Sequence, residues 1–291
     1  KTPVLFLALS SVLNIGLDII SIKLWGMGVN GTALATVISQ GVSGVICFFY
    51  MKKRFTVLQM SREERRPDGA KMKRLCYMGI PMGLQYSITA IGSILLQTAV
   101  NGLGAVSMAA VAASGKVTGL FASPYDAMGT MAATYAGQNL GAGKLDRVHH
   151  GVKDCCILGV AYSLAALVVM YFLGAQMTAL FLDSKDVASS AQILPLARQL
   201  LVTNAAFYIP LLGVNLFRFT IQGLGYSNLA VIAGVSEMIA RGAVAALVSV
   251  FGFTAVCYAS PAAWVLADCF LLPAYFVCMK RRKKEAAAVR E

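Results

Sequence analysis

Apolar stretches of 19 residues or more recur along the whole chain, at about 4–22, 31–51, 75–100, 106–136, 152–173, 193–217, 228–251 and 254–279. Crossing a hydrocarbon core of about 30 Å as a helix takes about 20 consecutive apolar residues, so each stretch qualifies as a span. Eight spans in 291 residues leave no room for a folded soluble domain. The composition agrees, since 58% hydrophobic and 13% charged residues lie far outside the range of a soluble domain of this length. A β-barrel would instead need short segments of alternating polarity. Gly and Pro inside the stretches suit a helix bundle, in which neighbouring helices satisfy the backbone groups that a break sets free. The sequence therefore predicts an all-α polytopic membrane protein with eight transmembrane helices. The stretches around Pro124, and around Pro195 and Pro210, exceed one straight span, so tilt, kinks or protrusion are expected there.

Charge supplies the orientation. Residues 52–74 hold nine Lys or Arg, 139–153 hold three and 280–291 hold six, eighteen of the 25 in the chain. These alternate connections face the cytoplasm by the positive-inside rule, which places both ends of the chain on the cytoplasmic side of the cell membrane. The opposite connections, around Lys23, Asn101, Asp183 to Asp186 and Gly252, are short and nearly uncharged. A net charge of +12 would suit nucleic acid, but the basic residues sit beside spans without interleaved aromatics or a recognition motif. Orientation and attraction to the lipid bilayer account for them, and no nucleic-acid partner is expected. The seven cysteines form no C-x-x-C pair and lie mostly in or beside spans, so they read as small packing residues.

Asp18 stands in the middle of the first apolar run, with Asn14 one helical turn before it. A carboxylate at that depth is costly in hydrocarbon, so it faces a protein interior or a watery cavity and marks an ion or proton path. With Thr36 from the next span, Asn14 and Asp18 offer an amide oxygen, a carboxylate and a hydroxyl. Hard cations take oxygen ligands, and apolar surroundings penalise an ionised carboxylate, so the cluster suits Na⁺ or a proton. No metal centre or other cofactor is expected. The chain enters this helix directly from Lys1, with no charged leader, which suggests that further residues lie upstream.

The first two spans are echoed in the last two. Ser10, Asn14 and Asp18, a Gly-containing turn and then Thr36 match Ala233, Glu237 and Arg241, another Gly-containing turn and then Ser260. Each polar pair is spaced i, i+4 and shares one helix face. Internal repeats of this kind are common in transporters, although two unrelated polar pairs holding helices together would look the same.

The string Met131 to Arg147, MAATYAGQNLGAGKLDR, closes the fourth span. It resembles the G-Q-N-x-G-A-G-[KR] segment of the multidrug and toxic compound extrusion (MATE) transporters. Gly79-Ile80-Pro81, Pro124, Gln222 to Gly225 and Ser260 to Trp264 follow the same family order, so the resemblance covers nearly the whole chain. It implies part of a twelve-helix, two-lobe transporter with a central cavity. Residues 1–54 would be the last two helices of the N-lobe and 55–74 a basic cytoplasmic interlobe loop. Residues 75–279 would be the six-helix C-lobe and 280–291 a basic tail, with the first four helices absent. The segment is not a nucleotide loop. Five residues separate Gly137 from Gly143-Lys144, and Leu145 stands where a phosphate loop needs Ser or Thr. Its glycines are expected to let the chain turn tightly at the surface.

The resemblance further implies that Asn14, Asp18 and Thr36 form an N-lobe cation site together with an Asp of the family's first span. Relatives with acids in the seventh and tenth spans match here at Thr89 and Leu211, so a C-lobe ion site of that type is not expected. Glu237 and Arg241 should neutralise each other and can serve as a gate or a charge in the cavity. Lys116 and Asp126 either line the cavity or pair between helices, and Asp268 is similar but closer to a helix end. Tyr86, Tyr125 and Tyr208 are candidates to stack on a lipophilic cation. His149 and His150 fall in a cytoplasmic turn, where solvation is expected.

No H-E-x-x-H, G-x-S-x-G or matched Cys and His pair marks an enzyme. The function implied is export of small toxic molecules, amphiphilic organic cations by resemblance, in exchange for Na⁺ or H⁺ by alternating access. A lipid-linked oligosaccharide flippase of the same superfamily is the alternative, and would call for several basic residues in the spans. A non-transporting scaffold would not need Asp18 beside Asn14.

Overall fold

The computed structural model describes residues 2–55, 67–182 and 187–288. Among them the chain is entirely helical: α1 (Thr2–Lys23), α2 (Gly28–Arg54), α3 (Gly69–Asn101), α4 (Ala105–Gly141), α5 (Leu145–Ala179), α6 (Val187–Ala206), α7 (Tyr208–Gly223), α8 (Ser227–Phe251) and α9 (Phe253–Ala288). Seven of these are long and apolar enough to cross a membrane. The α6 and α7 pair passes the same test only jointly, bent by 53°, so the sixth expected span is a broken helix. Its break falls at Phe207, between the two prolines that marked the region. Pro210 has no N–H to return to the Ala206 carbonyl, so the hydrogen-bond ladder stops there. Phe207 turns back to bond the Asn204 carbonyl at 3.0 Å.

Pro124 behaves differently, for α4 runs straight through it. The carbonyl that Pro124 leaves without a donor is that of Leu120, and the Ser123 hydroxyl donates to it at 2.9 Å. The next carbonyl, of Phe121, accepts the Tyr162 hydroxyl at 3.0 Å. Neighbouring side chains thus supply what the proline ring removes.

The described residues divide into two compact units, 1–72 and 73–291. In the first, α2 turns back along α1. The residues that α2 buries are Gly31, Ala35, Ser39 and Ser43, one small residue per turn on a single face, and such a stripe lets two membrane helices approach closely. The contact is tight at Gly31, where a Cβ would lie 2.8 Å from that of Ser21. At the other end Ser43 donates to the Phe6 carbonyl at 2.8 Å.

In the second unit the core gathers around Tyr125, Tyr208, Trp264 and Tyr275 from α4, α7 and α9. The two glycine motifs meet in it: a Cβ on Gly223 would fall 2.4 Å from the Ala133 carbonyl, and one on Gly137 would touch the Gly223 carbonyl at 3.5 Å. Gly137 therefore serves helix packing. The tight turn belongs to Gly143, whose φ of +69° only glycine adopts freely. The Lys144 amide closes that turn on the Asn139 carbonyl at 2.8 Å.

The connections also differ from expectation. The turn after α4 is only 142–144, so His149 and His150 stand on α5, and His149 meets the Tyr275 hydroxyl at 3.3 Å. Residues 280–288 continue α9, so most of the expected tail is helix. Arg282 donates from Nε and Nη2 to the Leu224 carbonyl at 3.0 and 2.6 Å, and Lys283 pairs with Asp146 of α5 at 2.8 Å. Of the basic loop 55–74, residues 56–66 lie outside the described residues, as do 183–186 of the Asp183 connection and 289–291.

Candidate functional site

The α1–α2 contact brings Asn14 and Thr36 together. Asn14 Nδ2 donates to Thr36 Oγ1 at 3.2 Å, and the Thr36 hydroxyl in turn donates to the Thr32 carbonyl at 3.0 Å. The nitrogen end of the amide is engaged, which leaves its oxygen as the end able to accept. Asp18 sits one turn along the same helix face, half-buried. Its Oδ1 is shut off from solvent and has no hydrogen-bond partner among the described residues. A buried polar oxygen left unpaired costs roughly 1–3 kcal/mol, a cost that a bound proton or cation would relieve. The hydroxyl, the amide oxygen and the carboxylate form an oxygen set of the kind that hard cations take.

The echo on α8 has another character. Glu237 is 3% exposed and both of its oxygens are taken: Oε1 by Arg218 of α7, and Oε2 by Arg241 at 3.2 Å. The expected Glu237–Arg241 pair is present, but it is part of a triad. Arg218 is the member that the sequence reading missed, because a partner 19 residues away on another helix leaves no spacing signal. Arg218 Nε and Arg241 Nη1 remain buried without partners among the described residues. Beside the triad, Gln222 donates to Gln85 of α3 at 2.8 Å.

Asp126 faces outward from α4 and is exposed within its unit. Thr130, Thr134 and Gln138 follow at four-residue intervals on the same face, and the last three line a shallow groove. This polar stripe on a membrane helix was legible as an i, i+4 pattern, and a polar face of this kind turns toward protein or water rather than lipid. Lys116 is not paired with Asp126. Its ammonium lies 5.4 Å from the centre of the Phe181 ring. Asp268 lies well inside α9 and not near a helix end, because α9 runs on to Ala288.

Of the three tyrosines proposed to stack on a cation, Tyr86 is exposed, while Tyr125 and Tyr208 are fully buried. The Tyr125 hydroxyl meets Ser163 at 2.8 Å, and its ring packs edge-on against Tyr162 and Tyr208. Both buried rings belong to the core. Thr89 and Leu211, the positions without acids, are on α3 and α7, and Leu211 is buried.

The chain is similar to the "Probable multidrug resistance protein YpnP" of Bacillus subtilis (strain 168), with 28% identity over 77% of this chain and 48% of the relative. It spans about half the length of the curated relatives it matches. Among solved structures it resembles the crystal structure of MATE in complex with MaL6, with a TM-score of 0.87 and 21% identity over 96% of this chain and 63% of that one. A MOP superfamily transporter from Pyrococcus furiosus gives a TM-score of 0.79 and 22% identity over 99% of this chain and 63% of that one. At such identities the likeness is one of fold. The MatE family model matches residues 81–259, more than half of the chain, which therefore belongs to the MatE family.

Proposed function

We propose that this chain is part of a secondary exporter in which Na⁺ or H⁺, bound at Asn14, Asp18 and Thr36, drives the outward movement of small amphiphilic organic cations. The observation that carries the reading is the unpartnered Asp18 oxygen beside the Asn14–Thr36 bond. Occupancy of this site favours one of two arrangements of the protein, and the difference in affinity between them couples ion to substrate. The stripe from Asp126 to Gln138 is the wetted face along which substrate passes, and the exposed Tyr86 ring is a stacking surface. Residues 1–54 take the part of the last two N-lobe helices and 75–279 that of the C-lobe. The protein lies in the cell membrane with both ends of this chain in the cytoplasm, and it acts as a transporter without enzymatic chemistry.

The flippase alternative needs free basic groups for a pyrophosphate. Arg218 and Arg241 share Glu237, Arg198 lies 5.4 Å from the Tyr171 ring centre, and Lys116 lies over Phe181. With all four engaged, the exporter reading is favoured. The test is uptake of tetraphenylphosphonium into proteoliposomes of the full-length protein under an imposed Na⁺ or H⁺ gradient. Accumulation is expected under one of the two gradients. Movement of a labelled lipid-linked oligosaccharide without cation uptake would overturn the reading in favour of the flippase, and neither activity would favour the scaffold.

A further inference from the structure

Asp268 has no role in the site above, yet its surroundings are specific. Its carboxylate presses against α7 at Gly213, where a Cβ would fall 2.4 Å from Oδ2. Any larger residue there would displace the acid. Its Oδ1 is buried and unpartnered among the described residues, like that of Asp18. The charged groups acting on it are Arg218 of α7 and Glu237 of α8, and Arg241 lies beyond Glu237, to which it is bonded. Arg218 is also the charged group that acts on Asp126 of the α4 stripe. Among the described residues no charged group of α5 or α6 acts on Asp268, α3 carries none between 75 and 101, and the other charges of α9 begin at Lys280.

With every group ionised, Arg218, Arg241, Glu237 and Asp268 carry two charges of each sign. One proton changes that balance. We propose that Asp268 is a proton-binding site whose occupancy sets the net charge of the Arg218–Glu237–Arg241 cluster that acts on the α4 stripe. A hydronium ion delivers the proton, one O–H bond forming at Oδ1 as one breaks in the donor. The cluster then holds one uncompensated positive charge. Arg218 transmits it to Asp126, where it opposes a cationic ligand through Coulomb repulsion in a poorly screened interior. Loss of the proton restores neutrality and the attraction of Asp126 for a cation. Ligand charge at the stripe is in this way linked to a proton held elsewhere in the same unit, by the reciprocity that links any two coupled sites.

Trp264 reports on this event directly. It stands one helical turn before Asp268 on α9, and the chain has only one other tryptophan, Trp25. The experiment uses the full-length protein in lipid nanodiscs, with Trp264 kept and every other tryptophan replaced by Phe. Its fluorescence is titrated between about pH 5 and 9. The expected result is a single one-proton step, lost in Asp268→Asn and still present in Asp18→Asn. A parent protein without a step, or a step that survives Asp268→Asn, overturns the assignment. Should the Asn variant fail to fold, Asp268→Glu keeps the carboxyl one methylene farther out and must displace the midpoint, and an unchanged midpoint overturns it equally. Because Asp18 is varied separately, failure here is distinguishable from failure of the coupling site at Asn14, Asp18 and Thr36.

Discussion

Asp18 of α1 and Glu237 of α8 hold related places in the sequence echo, each carboxylate paired at four residues with a polar neighbour on its own helix. Their surroundings differ completely. Glu237 is enclosed, with a guanidinium on each oxygen, whereas Asp18 is half-buried and keeps one oxygen without a partner among the described residues. An acid inside a membrane protein is therefore informative through what meets it. A carboxylate whose oxygens are all occupied holds helices together, and removing it leaves charges stranded. A carboxylate with an unused oxygen contributes little to the fold and is free to bind.

The contrast predicts opposite consequences for stability and activity. Glu237→Gln strands Arg218 and Arg241 in the interior, and should cost about 3–5 kcal/mol of stability, read as a drop in the thermal unfolding midpoint of the purified protein. Asp18→Asn should leave that midpoint nearly unchanged, and a large loss there would break the comparison. Gly31→Ala sharpens it from the other side. The new methyl would meet Ser21 at 2.8 Å, which should cost about 1–3 kcal/mol by overpacking. It should also push Thr36 away from Asn14, so that ion affinity in a radiolabelled Na⁺ or proton-uptake assay falls along with stability. Asn14→Ala removes only the bond to Thr36, and interhelical bonds of this kind average about 0.6 kcal/mol. Its stability loss should be barely measurable while ion affinity falls.

The smallest effect lies outside the spans. Asp68 accepts the Ala70 and Lys71 amides at 2.9 and 3.3 Å, capping α3, and these bonds hold its carboxyl below its ordinary pKa of 3.8. A depressed folded value stabilises the cap above pH 3.8 and loses that contribution as pH falls through it. The protection factors of the amides in the first turn of α3, measured against the intrinsic exchange rate at each pH, should therefore fall at acid pH in the parent protein, and Asp68→Ala should show the lower protection already at neutral pH.

Most of the architecture was legible, because span length and loop charge act over long windows and tolerate local error. The break at Phe207 was legible only as a region, since Pro195 and Pro210 both mark it and the backbone yields where one carbonyl lacks a donor. Pro124 carried the same signal, and α4 stayed continuous there because Ser123 and Tyr162 cap its carbonyls, one from the residue just before the proline and one from another helix. Asn14 and Thr36 could be joined from sequence because their helices are adjacent in the chain. Arg218 could not be joined to Glu237 in that way, nor Asp268 to Gly213, because those contacts depend on how α7, α8 and α9 pack. Tyr125 and Tyr208 misled because an aromatic in a span carries no mark of whether its ring faces a cavity or a core.

Asp18 is the proposed place where ion binding meets substrate movement. The most direct measurement compares gradient-driven accumulation with substrate counterflow in proteoliposomes of the full-length protein carrying Asp18→Asn. Counterflow of tetraphenylphosphonium should persist while accumulation under a Na⁺ or H⁺ gradient falls to the level of protein-free vesicles. Accumulation equal to that of the unsubstituted protein would contradict it.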